Sequence, residues 1–119
     1  MLSTKNPYRR MQQAVESPRD AELRIFRTVT YALQKAREAN DPIALVRAAT
    51  NNYLLWQTLL QDVASDENKL PRDLRRSIAI VAMAVSKEID DNLNGTLDVD
   101  FLININNSMI EGLSANTAG

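Results

Sequence analysis

Apolar residues recur along this chain at intervals of three and four, and polar, proline-bearing punctuation separates the runs. The densest run is Asn52-Tyr53-Leu54-Leu55-Trp56, which holds the single tryptophan. At about 100° per residue, Tyr53, Trp56, Leu60 and Val63 form one seam, Leu55 and Leu59 lie beside it, and Leu54 points away. A helix apolar over more than half its circumference needs partners on at least two sides, so this one is read as the hub of the molecule. Asp41-Pro42 opens it, with Asp41 as N-cap and Pro42 at the first helical position, and it runs to about Ala64. Asn52 falls on its apolar side. Left without partners, a buried amide there costs about 1–3 kcal/mol. It is either an interhelical amide bond that fixes register or an amide that recognises a partner.

The same signals place the other helices. Ser17-Pro18-Arg19-Asp20 is a capped start, and Leu23, Phe26, Val29, Thr30 and Leu33 carry the stripe of a helix reaching about Ala39. Leu70-Pro71 opens a helix ending near Leu93, with Leu74, Ile78, Val81, Val85 and Ile89 on its main stripe and Ile80, Met83 and Ala84 on a second. Its middle, Ile78–Val85, is apolar all round and is expected to be buried on several sides. Asn94-Gly95 ends it. Asp98 then caps a last helix whose stripe includes Leu102, Ile103, Met109, Ile110 and Leu113. Asn106 sits inside that stripe, and Phe101 and Ile105 widen it. A short helix is expected over Pro7–Val15. The pattern predicts an all-α fold, an antiparallel bundle of four main helices with a short extra N-terminal helix. One domain spans 1–119, with 1–6 and 114–119 as tails.

Composition narrows the chemistry. Net charge is -1, so no global field draws the chain to nucleic acid or an anionic membrane. The chain has no cysteine and no histidine, which removes disulfides, thiolate metal sites and the commonest general base. Asp90-Asp91 and Asp98/Asp100 lie at helix ends, where capping or solvation explains them. Three glycines do not make a phosphate loop, and Ser77 and Ser86 have no histidine to activate them. No enzymatic activity, metal or cofactor is expected. The longest apolar run is far below the roughly 18–20 residues that span a bilayer, and the N-terminus has no apolar leader core, so a cytoplasmic protein without membrane insertion is expected. Arg72, Arg75 and Arg76 form a small basic cluster, either a solvated face or a contact for phosphate or an acidic partner. The second face of the Leu70–Leu93 helix and the Phe101/Ile105 flank exceed what a minimal core needs. Either neighbouring helices cover them or they form a groove for an amphipathic helix.

Three pieces of sequence, in this order, carry a resemblance. They are Asn52-x-x-Leu55-Trp56 with Asp62 following, Asn68-x-Leu70-Pro71-x-x-Leu74-Arg75, and Leu102-Ile103-Asn104-Ile105-Asn106-x-x-Met109-Ile110-x-Gly112-Leu113. Together they resemble the FlaF family, flagellar biosynthesis regulators of α-proteobacteria. Where that family often has a basic residue in the last motif, this chain has Asn107. The resemblance implies a small cytoplasmic, non-enzymatic protein of flagellum assembly, linked to flagellin production and export and acting alongside the regulator FlbT. The expected mechanism is that of a secretion chaperone, binding the terminal helices of flagellin in an apolar groove. Leu55, Trp56, Leu70, Arg75, Ile80 and Met83 are candidates for that surface, as are Phe101, Ile105 and Met109, with Asn52 and Asn106 as polar anchors. Two alternatives stay open. One is post-transcriptional regulation of flagellin synthesis, through FlbT or through messenger RNA touched by the arginine cluster. The other is an adaptor between export components.

Overall fold

The computed structural model describes residues 16–118, so the expected Pro7–Val15 helix lies outside the described residues. Within them the chain forms four helices and no strand: α1 (Pro18–Glu38), α2 (Pro42–Ala64), α3 (Arg72–Asn92) and α4 (Val99–Ala118). The helices begin where the capping residues predict. Ser17 Oγ accepts from the Asp20 amide at 3.0 Å, and Asp41 Oδ1 accepts from the Ala44 amide at 3.1 Å. Each bond satisfies one of the amides that a helix start leaves without a partner. Asp98 Oδ1 caps α4 through the Phe101 amide at 3.1 Å. Pro71 precedes α3, where a side-chain cap is absent. Asn40, at φ 51°, takes the left-handed conformation that ends α1, a position asparagine tolerates better than most residues.

Two expectations change. Helix α4 continues past Leu113 to Ala118 rather than fraying at Ser114, because Ser114 to Ala118 contains neither proline nor glycine to stop it. Arg27 Nη2 of α1 also reaches Ser114 Oγ at 3.5 Å. The middle of α3 is not buried all round: Ile80 is 53% exposed and Met83 55%. The cause lies in the packing. The close pairs are α2 with α3, α1 with α2, and α1 with α4, so α3 is flanked closely on one side only. One stripe, Ile78, Ala82 and Val85, is therefore enough to seat it.

The order across the molecule is α3–α2–α1–α4, and the shape is flat, 43 × 42 × 23 Å. Neighbours run antiparallel. Arg37 near the end of α1 pairs with Asp100 at the start of α4. Gln57 Nε2 on α2 donates to Ser86 Oγ on α3 at 2.7 Å. The core gathers on Trp56, which meets Phe26 edge to face, with ring centroids 5.5 Å apart and planes at 79°. Leu33, Ala49, Val85 and Leu102 belong to the same core cluster and expose no surface. Among the described residues no helix is long and apolar enough to cross a membrane.

Candidate functional site

The buried amides form a chain through the centre. Trp56 Nε1 donates to Asn106 Oδ1 at 2.9 Å, and Asn106 Nδ2 donates to Asn52 Oδ1 at 2.6 Å. All three residues are wholly buried. This links α2 to α4, helices that are not a close pair, and pins their relative height. The register reading of Asn52 is therefore the one realised. Asn52, Trp56 and Asn106 leave the expected docking surface, because a partner reaches them only by opening the bundle. The arrangement is not fully satisfied: Asn52 Nδ2 has no hydrogen-bond partner among the described residues.

A groove of about 590 Å³ opens at one end of the molecule, where α1 and α3 begin and α2 and α4 end. Leu74 and Ile78 of α3 form one wall, and Ser108, Met109, Gly112 and Leu113 of α4 the other. Leu59 lies on the floor, Asp62 beside it, and Pro18, Arg19 and Glu22 of α1 complete the rim. The space exists because α3 and α4 are not closely packed on each other. Gly112 deepens it: no atom lies within 4 Å of where its Cβ would stand.

The connection between α2 and α3 shapes the lip. Asn68 Oδ1 accepts from the Leu70 amide at 3.0 Å, and Asn68 Nδ2 donates to Asp62 Oδ2 at 3.4 Å. Arg75 Nε donates to the Val63 carbonyl at 2.8 Å and Nη2 to the Ser65 carbonyl at 2.9 Å. Arg75 thus ties off the last turn of α2, whose carbonyls have no helical partner. Its role is internal, and the basic cluster is left with Arg72 and Arg76 as its exposed members.

Charge on the rim is concentrated on one side. Burial pushes the Glu22 carboxyl above the usual carboxylate range, Arg19 opposes that shift, and Asp62 adds to it. The walls from α3 and α4 bring no charged side chain to the groove. The site is an apolar trough with two carboxylates and one arginine at one edge.

Of the expected surface residues, Leu70 and Met109 line this groove. Ile80 and Met83 lie on the exposed outer face of α3, and Leu55, Phe101 and Ile105 are half-buried against the core. Glu22 went unnoticed in the sequence, and Asp62, Leu74, Gly112 and Leu113 stood in the motifs without being expected on the surface. Signals for several were in view: Leu74 and Leu113 stand on apolar stripes, and a glycine at 112 interrupts a helical pattern.

A family model described as flagellar protein FlaF matches residues 4–113. The chain belongs to the FlaF family. No curated protein and no solved structure matches it. In this FlaF-family chain several of the residues that carried the resemblance gather in two places. Asn52, Trp56 and Asn106 build the central amide chain. Asp62, Asn68, Leu70, Leu74, Met109 and Gly112 meet at the groove, although they come from three segments of sequence.

Proposed function

We propose that this FlaF-family protein is a flagellar export chaperone that holds a terminal helix of flagellin in the end groove. The observation carrying the reading is the convergence of the motif residues on an open apolar trough to which all four helices contribute. An amphipathic helix is the natural occupant: its anchors at i, i+3/i+4 and i+7 match a long apolar groove. Terminal segments of flagellin are amphipathic and lack partners before polymerisation, so a cytoplasmic protein that covers them keeps them from associating early. FlbT acts alongside it in this reading, at the level of flagellin synthesis. Regulation through direct contact with messenger RNA has less support, since Arg75 spends its guanidinium on the end of α2.

The test is a pull-down of flagellin with and without its terminal helices. Full-length flagellin is expected to be retained and the truncated form lost. Equal retention of both would remove the groove mechanism.

A further inference from the structure

The rim of the groove says something about the occupant's charge. Glu22 of α1 and Asp62 of α2 face the same space from adjacent helices. Neither forms an ion pair within 4.0 Å among the described residues. Asp62 accepts one long bond from Asn68 at 3.4 Å, a neutral amide. Arg19 shares the rim without closing on either carboxylate. The opposite walls, Leu74 and Ile78 on α3 and Met109 and Leu113 on α4, are apolar, with the Ser108 hydroxyl as their one polar side-chain group and no charge. Charge is therefore segregated: Glu22, Asp62 and Arg19 share one edge, with one negative charge in excess, and the walls from α3 and α4 carry none.

We infer that the groove selects an amphipathic helix whose apolar stripe is flanked on one side by a lysine or arginine, seated between Glu22 and Asp62. This rests on the groove being the docking site, as proposed above. A half-buried carboxylate without a partner is held at a cost, and a cation arriving on a ligand relieves it. Raised basicity at Glu22 agrees with this: burial is its largest cause, and it outweighs the opposing charge of Arg19, while Asp62 adds to it. An acidic flank at the same place would set a third negative charge beside two, so the rim rejects as well as selects.

The probe is a synthetic amphipathic helix with a leucine stripe and flanking lysines, compared with twins in which glutamate or glutamine replaces lysine. Binding is followed by fluorescence anisotropy at low and moderate salt. The lysine peptide is expected to bind about three- to tenfold more tightly than the glutamine twin, with the glutamate twin weakest. The preference should shrink with added salt and as pH falls through the raised value of Glu22. The double variant Glu22→Gln/Asp62→Asn, with Arg19 the remaining charge on the rim, is expected to lose the lysine preference. Leu74→Gln alters a wall residue that is 45% exposed, so the fold tolerates it, and it should weaken all three together. If the three peptides bind the wild-type chain equally while Leu74→Gln still weakens them, the charge selection is wrong and the groove stands. If Leu74→Gln and Met109→Gln both leave binding untouched, the groove itself is not the docking site.

Discussion

The centre of this molecule and its open end invert one another. At the centre, polar atoms are buried: Asn52, Asn106 and the Trp56 indole share hydrogen bonds with no access to solvent. At the end, apolar atoms remain uncovered along Leu74, Met109 and the notch at Gly112. Each is the costly choice for its environment. A buried amide chain adds little net stability over a well-packed apolar core, but it admits one alignment of α2 and α4 and disfavours its neighbours. An uncovered trough adds nothing to the stability of the isolated chain. The contrast separates the residues that fix the alignment of the helices from those that line the proposed docking site.

The sharpest way to break this comparison is at the centre. Asn106→Leu strands both the Trp56 N–H and the Asn52 carbonyl, and is expected to cost about 2–5 kcal/mol in urea unfolding. A loss below about 0.5 kcal/mol would show that the amide chain does not hold the helices. At the end the signs differ. Met109→Gln is expected to weaken flagellin binding about tenfold while changing stability by about 1 kcal/mol or less. Gly112→Ala should separate the two quantities further. The new methyl meets nothing in the fold, so stability should rise by about 0.5–1 kcal/mol, while the filled notch lowers affinity. A Gly112→Ala chain that gains stability and binds as before would mean the notch is not occupied.

The smallest effect concerns pH. Glu22 has a folded pKa above the ordinary 4.5, so the folded chain holds the proton more tightly than the unfolded one. Stability therefore carries no penalty from Glu22 below pH 4.5 and loses some as pH rises through the raised value. Glu22→Gln should flatten that part of the stability curve and leave the rest unchanged. An identical curve would mean the carboxylate is solvated in solution.

Periodicity made the helices legible, because stripes such as Leu23/Phe26/Thr30/Leu33 and caps such as Ser17 and Asp41 are local. The hub role of α2 was legible too, since the broad apolar arc around Trp56 demanded two neighbours. Which faces stay open was not, because that depends on pairing between helices far apart in sequence. Ile80 and Met83 were legible only as apolar excess, either covered by neighbouring helices or open to a partner; they stand open because α3 packs closely on α2 alone. Asn52 and Asn106 were ambiguous for the opposite reason. An amide on an apolar stripe has the same pattern whether it meets another amide or a ligand, and only their 2.6 Å contact across 54 residues distinguishes the two. Glu22 escaped notice because a lone glutamate on a helix reads as a solvated face until a second carboxylate is brought beside it.

The turn after α3 has a mechanical corollary. Gly95 at φ 122° and the bond from the Asp98 amide to Glu88 Oε2, at 2.9 Å, fasten α3 and α4 together at the end remote from the trough. From Val99 to Leu113 the axis extends roughly 21 Å at 1.5 Å per residue, so a tilt of about 10° at the fastened end swings Leu113 by roughly 4 Å. The same tilt would carry Asn106, halfway along, by roughly 2 Å and pull it off Trp56 and Asn52, so the amide chain is what holds the trough at its set width.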